Sequence, residues 1–219
     1  MRRWRPCPNQ GCDDPLSRAH SDSVALFFEP RPAVEPLPEL PAEMAGMRCN
    51  VMADIHEVVR TFKDWATAQG LGPAQAEVRV ERLGRPHTPA ALPSGWQGVY
   101  GFRYEGTWLK VGKAGPKSGM RWISQQYNPG SAMSTLAFSL VKYGHYATMD
   151  HPSLPGLRMT LRGVSPDDIG EWIRRNTERV NLLLRAEMGA SGLSQLESIA
   201  HARLKPVFEG RWQFGEPAI

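Results

Sequence analysis

Cysteine is scarce in this 219-residue sequence, and its three cysteines do not define a disulfide framework. Cys7 and Cys12 are separated by four residues and have His20 nearby, but no fourth ligand follows at the close spacing of a zinc site. An odd number of cysteines is typical of a chain that keeps its thiols reduced. We therefore expect neither structural disulfides nor structural zinc.

Long apolar runs are absent too. No stretch of the sequence approaches the roughly 20 apolar residues that a membrane-spanning helix needs. The basic residues Arg2, Arg3 and Arg5 precede prolines and acids, not the apolar segment of a signal peptide. We therefore expect a cytoplasmic chain that does not enter a membrane.

The first 46 residues have little hydrophobic periodicity and contain eight prolines, which predicts a disordered or loosely attached segment. Residues 47–95 are predicted to form a helical extension and a linker. An amphipathic helix is expected at 54–69, a short strand at 75–83 and the linker at 85–95. This extension would pack on the domain that follows, or it would select a target or bind a partner, and the sequence leaves these roles open.

A strong charge of one sign is missing, since the net charge is only +4. The positive charge is concentrated in the second half of the chain. Residues 96–219 hold 15 Lys and Arg against 10 Asp and Glu, whereas residues 1–95 hold 11 against 12. A modest basic excess favours a phosphate backbone as partner, although it is also common in proteins that bind no nucleic acid.

The most informative segment is 96–113, which predicts a β-hairpin with strands at 96–104 and 107–111. A two-residue type I′ loop would need a positive φ at both Glu105 and Gly106, which glutamate tolerates poorly. A three-residue loop requires a positive φ of Gly106 alone. We therefore predict the three-residue loop, which places Tyr100 directly opposite Lys110 on the same face.

Five further elements are predicted after the hairpin. They are a short helix at 120–127, a helix at 134–143, a third strand at 157–164, a long helix at 165–188 and a last helix from Ser194. These elements indicate an α/β domain over residues 96–219. Its sheet is expected to be small, three-stranded and mainly antiparallel, with flanking helices.

The tripeptide GVY at 98–100 is followed ten residues on by KVG at 110–112. This pair resembles the signature of GIY-YIG nucleases, in the branch where lysine replaces the second tyrosine, and the following Lys113 strengthens the likeness. Arg121 in the next helix and Glu197 in the last helix stand where the family keeps a phosphate-binding arginine and a metal-binding glutamate. The resemblance covers roughly residues 96–214.

The resemblance implies a metal-dependent endonuclease that hydrolyses phosphodiester bonds in DNA. Tyr100 would position or deprotonate the attacking water, and Lys110 would supply the positive charge that favours the phenolate. Arg121 would bind phosphate oxygens, and Glu197 would hold Mg²⁺ or Mn²⁺. His201 lies one helical turn after Glu197, where a second ligand or a proton carrier could sit.

Further basic and aromatic residues of this domain are expected to contact the DNA. The tryptophans Trp122 and Trp212 are available to stack on bases. The basic residues expected at the phosphate backbone are Lys113, Lys117, Lys142, Arg203 and Arg211.

Each assignment has a structural alternative. Tyr100 lies on a strand face rich in aromatic residues, where packing is a sufficient explanation. Ser194 and Glu197 have the spacing of a capping box, in which the glutamate bonds to the backbone. The chain also has no asparagine after Asn181, although many family members keep one late in the fold. Two other functions therefore remain open: a module that binds nucleic acid without cutting it, and a protein-interaction module.

Overall fold

The chain forms one antiparallel sheet with helices packed on both of its faces. A computed structural model describes residues 51–209, all within one compact unit, so the predictions for residues 1–46, Arg211 and Trp212 concern positions outside the described residues. The strands are β1 (Val78–Leu83), β2 (Trp96–Tyr104), β3 (Thr107–Ala114) and β4 (Glu178–Arg185). The helices are α1 (Val51–Ala68), α2 (Gly119–Ile123), α3 (Leu136–Tyr146), α4 (Leu157–Arg162), α5 (Ile169–Asn176) and α6 (Gly189–Leu204), with 3₁₀ turns at Gln125–Tyr127 and Ala186–Met188.

The sheet has four strands in the order β1-β4-β2-β3, and every neighbouring pair is antiparallel. The predicted α/β class is confirmed, whereas the predicted three-stranded sheet is wrong. The short strand predicted at 75–83 is β1, which pairs with β4 at one edge of the sheet, with Val80 opposite Leu182. Strand β3 forms the other edge.

Strand β4 lies within the segment that the sequence predicted as one long helix. That helix ends at Asn176, because Thr177 adopts an extended conformation with φ −110° and ψ 152°. The strand that follows is buried on both faces: Val180 and Leu182 pack towards α1 and α6, and Leu183 packs towards the opposite helices. A continuous apolar run of this kind resembles a buried helix, so periodicity alone could not separate the two.

The segment at 157–164, predicted as a strand, forms helix α4 instead. Gly156 precedes the helix with a φ of 78°, a left-handed conformation that glycine adopts without steric cost. Leu157 and Leu161 are buried four residues apart, whereas Met159 is 58% exposed. The apparent alternation was therefore the helical spacing of two leucines.

The turn between β2 and β3 also differs from its prediction. Tyr104 pairs with Thr107, so the loop has two residues, and both have a positive φ: 44° at Glu105 and 88° at Gly106. The twist of such a two-residue turn matches that of the flanking strands. This match outweighs the steric cost at glutamate, which the sequence prediction had weighted more heavily.

A register shift between Phe102 and Arg103 then changes the pairing along the hairpin. Lys110 is opposite Phe102, and Tyr100 is opposite Gly112, so the predicted pairing of Tyr100 with Lys110 is wrong. An extra residue on β3 acts as a β-bulge, and it returns Lys110 to the face of the sheet that carries Tyr100. The two side chains share a face but are offset along it.

Helices cover the sheet in two layers. Helices α1 and α6 pack on one face, where Ile55, Val58 and Phe62 of α1 join the buried residues Leu196 and Ala200 of α6 in one apolar cluster. Helices α2 to α5 contribute to a more aromatic cluster on the other face. The predicted amphipathic helix is therefore confirmed as α1, and it is part of the core. No helix within residues 51–209 is long and apolar enough to cross a membrane.

A buried polar network runs through the aromatic layer. Arg179 Nη1 donates to Tyr127 Oη over 3.1 Å, and Tyr127 Oη lies 3.0 Å from His87 Nε2. His87 Nδ1 lies 2.9 Å from the carbonyl oxygen of Thr177. A neutral imidazole satisfies both contacts, because it donates to Thr177 and accepts from Tyr127. Burial, together with the charges of Arg179 and Arg174, lowers the pKa of His87 to about 4.

Acid should destabilise the fold through His87. The unfolded chain protonates this side chain near pH 6.5 and the folded chain near pH 4, so its contribution to stability is full above pH 6.5 and is lost as the pH falls towards 4. Urea titrations should show a loss of about 2 kcal/mol in the free energy of unfolding between pH 7 and pH 5. His87→Gln should remove most of this loss, whereas His56→Gln, at an exposed position of α1, should retain it. An undiminished loss in His87→Gln would contradict the assignment.

Candidate active site

The phenol of Tyr100 lies at the centre of the candidate site. Strand β2 places the ring directly opposite Gly112 of β3. A Cβ at position 112 would lie 2.6 Å from Tyr100 Oη, so glycine is required for the ring to lie there. Tyr100 is fully buried and packs edge-on against Phe102 and Trp122. The packing fixes the hydroxyl group over the edge strand of the sheet.

Gln126 holds the Tyr100 hydroxyl from the other side. Its Nε2 donates to Tyr100 Oη over 2.9 Å, and its Oε1 accepts a hydrogen bond from the backbone N–H of Leu136 over 2.9 Å. The side chain is buried, in the 3₁₀ turn that follows α2. Gln126 therefore joins strand β2 to the first residue of α3.

Three charged residues from different elements act on the Tyr100 hydroxyl. Burial is the largest effect and raises the pKa of the phenol above its ordinary value of 10.0. Arg121 of α2, by hydrogen bonding and charge, and Arg179 of β4, by charge, lower this pKa, whereas Glu197 of α6 raises it further. Arg121 and Glu197, which the resemblance assigned to catalysis together with Tyr100, therefore lie near enough for their charges to act on the pKa of the phenol.

Arg121 and Tyr100 differ in exposure. Arg121 is an exposed residue, whereas Tyr100 has no exposed surface. The charge of Arg121 nevertheless lowers the pKa of the phenol, so a cation that solvent reaches lies near a hydroxyl that solvent does not reach.

Glu197 is held by a lysine of the hairpin. Lys113 Nζ lies 2.7 Å from Glu197 Oε2 and donates to Ser194 Oγ over 2.9 Å. Helix α6 begins at Gly189, so Ser194 lies in its second turn, and the alternative of a capping box between Ser194 and Glu197 is wrong. The carboxylate is therefore available to cations, and a lysine ammonium is bound to it.

Lys110 makes its contact at a different place. Its Nζ lies 2.8 Å from Glu209 Oε1, and only 7% of its side chain is exposed. Backbone N–H groups of Val207 and Phe208 donate to β3 and bring Glu209 alongside the strand. Among the lysines of the hairpin, Lys113 is the one that pairs with the predicted metal ligand.

The other predicted residues are more dispersed. Lys117 is exposed between β3 and α2, and His201 is half-exposed one turn after Glu197. Within residues 51–209, no hydrogen bond or ion pair connects the His201 side chain to the Tyr100 hydroxyl or to Glu197. Arg203 pairs with Glu57 of α1 over 3.4 Å.

Two aromatic contacts bear on the predicted DNA-binding surface. Lys142 Nζ lies 5.5 Å from the centre of the Phe138 ring on the same helix. Trp122 is buried, and its Nε1 donates to the carbonyl of Ala90 over 3.1 Å. The predicted stacking of Trp122 on a base is therefore wrong, because its ring belongs to the core.

The acid that could hold a metal ion in this site is Glu197. Within residues 51–209, no group of three or more His, Cys, Asp or Glu is placed to bind a metal. Mg²⁺ nevertheless is often bound through one or two carboxylates and takes its remaining ligands from water and substrate oxygens. Because the Glu197 carboxylate already binds the Lys113 ammonium, its surroundings suit a cation. This one carboxylate would fit a Mg²⁺ ion only where water and substrate oxygens complete the ligands.

Arg179 is a residue of the site that the sequence did not indicate. Its guanidinium carbon lies 5.1 Å from the centre of the Tyr100 ring and 4.9 Å from that of Trp122. Arg179 Nε donates to Asn181 Oδ1 over 2.8 Å, and Nη2 has no hydrogen-bond partner within residues 51–209. The assignment of residues 165–188 to a helix concealed this position. The signal in the sequence was an arginine next to an apolar run.

The chain matches no protein-family model, no curated protein and no solved structure in the comparisons made with them. A proposal about function therefore depends on the geometry of the described residues and on the motifs of the sequence.

Gly112→Ala should displace the Tyr100 ring. The new methyl group would lie 2.6 Å from Tyr100 Oη, so the ring must shift and lose its hydrogen bond from Gln126. We expect the free energy of unfolding to fall by about 1–3 kcal/mol in urea titrations, the usual cost of overpacking. Gly163→Ala is the control, because no heavy atom lies within 4 Å of its added Cβ. Equal stability of the two variants would contradict this packing.

Proposed function

We propose that this chain is a metal-dependent endonuclease of the GIY-YIG type, which hydrolyses phosphodiester bonds in DNA. The observations that carry the proposal are the fixed position of the Tyr100 hydroxyl over the edge strand and the nearness of two charged residues, Arg121 and Glu197, whose charges act on the pKa of Tyr100. These residues belong to β2, α2 and α6 and are far apart in the sequence. The resemblance at the level of motifs selects the same three residues independently of their positions in space.

Arg121 would bind the scissile phosphate, because its exposed guanidinium offers a planar set of donors that matches phosphate oxygens. The Tyr100 hydroxyl is buried in this structure, so it would have to become accessible to the attacking water when substrate binds. Burial keeps the phenol protonated at neutral pH, since it raises the pKa of Tyr100. Positive charge must therefore accumulate around the phenol before Tyr100 can accept a proton from the water.

Glu197 would hold Mg²⁺ or Mn²⁺. When bound, the ion supplies positive charge that stabilises the pentacoordinate phosphate. Lys113 Nζ lies 2.7 Å from the same carboxylate. A metal ion bound at Glu197 would therefore have the Lys113 ammonium beside it, close to the substrate. The sequence already placed Lys113 at the phosphate backbone, and we propose that it contacts the phosphate that binds next to Glu197.

A module that binds nucleic acid without cutting it is the second candidate. Two observations favour it: Tyr100 has no exposed surface, and the Glu197 carboxylate is paired with Lys113. Neither feature would need to change in a protein that only binds. Exposed cations such as Lys117 and Arg121 would then contact the phosphate backbone, with an affinity that needs no metal and decreases with salt.

Glu197→Gln should abolish metal-dependent DNA cleavage. The amide preserves the shape of the side chain but lacks the negative charge that holds a cation, so the rate should fall by about 100-fold or more. The assay follows nicking and linearisation of supercoiled plasmid with Mg²⁺ or Mn²⁺, and with EDTA. Glu171→Gln is the matched control, because Glu171 is an exposed partner of Arg175 on α5.

Cleavage by Glu197→Gln at the wild-type rate would contradict this metal site. DNA binding without any cleavage by the wild type would favour the second candidate.

Lys113→Met should reduce cleavage more strongly than Lys110→Met. Lys113 pairs with Glu197, whereas Lys110 pairs with Glu209 near the end of the described chain. We expect a loss of about tenfold or more in rate for Lys113→Met, in the same plasmid assay. Thermal melting separates this loss from unfolding. A larger loss of rate in Lys110→Met than in Lys113→Met would indicate that Lys110 is the catalytic lysine.

A further inference from the structure

The side-chain amide of Gln126 has a defined orientation. One end lies 2.9 Å from the backbone nitrogen of Leu136, and the other lies 2.9 Å from Tyr100 Oη. A backbone N–H can only donate, so the end that faces Leu136 must be the carbonyl oxygen. The end that faces Tyr100 is therefore the NH₂ group. The side chain is 2% exposed, so water does not offer an alternative set of partners.

This orientation determines the role of the phenol oxygen. An NH₂ group donates and does not accept, so Tyr100 Oη must accept the hydrogen bond from Gln126. The hydroxyl hydrogen of Tyr100 then points away from Gln126. It cannot be accepted by Arg121 or Arg179 either, because a guanidinium has no acceptor. The hydrogen is thereby left for an acceptor away from Gln126, such as a carboxylate, a water or a substrate oxygen.

We propose that Gln126 is a positioning residue, which holds Tyr100 Oη as a hydrogen-bond acceptor and turns the hydroxyl proton away from its own amide. Its importance for cleavage rests on the proposed nuclease function. A donor to the oxygen stabilises the phenolate, whereas an acceptor at the same place would hold the proton on the phenol. Gln126 therefore supports the state of Tyr100 in which it accepts a proton.

The charged groups that face Tyr100 come from three elements packed around it. They are Arg121 of α2, Arg179 of β4 and Glu197 of α6, and Lys113 of β3 is in turn paired with Glu197. Gln126 differs from them because it is neutral, and it donates to the oxygen over 2.9 Å. Its replacement therefore tests hydrogen-bond direction with the surrounding charges in place.

Gln126→Glu is the sharpest test. A carboxylate oxygen can still accept from Leu136 N–H, but the other oxygen presents an acceptor to Tyr100 in place of a donor. Gln126→Met removes both hydrogen bonds and serves as a second variant if Gln126→Glu does not fold. Gln125→Glu introduces the same charge at the neighbouring residue. The readout is the ¹³Cζ chemical shift of Tyr100 in ¹³C-tyrosine-labelled protein, assigned by its absence in Tyr100→Phe.

We expect a downfield change of the Tyr100 ¹³Cζ resonance in Gln126→Glu, as the hydroxyl begins to donate, and a change in the opposite direction or none in Gln125→Glu. Gln126→Met should also move the resonance, because the accepted hydrogen bond is lost. An unmoved resonance in both Gln126 variants would overturn the proposal.

Cleavage kinetics complete the test. In Gln126→Glu we expect kcat to fall by about tenfold or more with KM little changed, because a rise of one unit in the phenol pKa reduces the phenolate tenfold. Gln69→Glu, an exposed residue after α1, controls for the added charge. Equal effects on kcat and KM, or no effect, would overturn the catalytic role. If the wild type does not cut DNA, the nuclease proposal fails, while the resonance still decides how Tyr100 is bonded.

Discussion

Close contacts between aromatic rings and glycine residues determine how the hairpin and its neighbours pack together. A Cβ at Gly112 would meet the Tyr100 ring, and one at Gly98 would lie 2.8 Å from the Trp122 ring. On the opposite face, a Cβ at Gly101 would lie 2.8 Å from Trp108. Each glycine of the two strands thus accommodates one ring. The spacing of glycine and aromatic residues is therefore a packing requirement, and it also brings the Tyr100 hydroxyl over the edge strand.

Arg179 carries a fully buried charge, which opposes the stability of this packing. Removal of a guanidinium from water carries a penalty of several kcal/mol, which hydrogen bonds and neighbouring rings must offset. Asn181 and Tyr127 accept two of its N–H groups, and aromatic rings face the cation. Asn181 also donates to Glu81 Oε2 over 3.3 Å, which links the cation to a carboxylate of β1.

The sequence predicted those parts of the molecule in which local pattern and tertiary environment agree. Helix α1 has one apolar face because one face is buried. The hairpin is buried on both faces, but its aromatic and β-branched residues and its glycine turn still mark it as two strands. Strand β4 is buried on both faces without such markers, and α4, with six residues, shows only one helical repeat. The motifs located Tyr100, Arg121 and Glu197 without any knowledge of the sheet. The sequence did not indicate Gln126, because its role depends on a hydrogen-bond partner in another element. It did not indicate Arg179, because the strand that carries this residue was predicted as a helix.

The ion pair between Lys113 and Glu197 bears directly on whether the site can hold a metal. Both side chains are partly exposed, 34% for the lysine and 21% for the glutamate, so water screens their attraction. Pairs of this kind contribute about 1 kcal/mol or less to stability. Under the proposed function, Glu197 would hold a divalent ion and Lys113 would bind a phosphate oxygen in its place. A pair this weak would be only a small obstacle to that exchange.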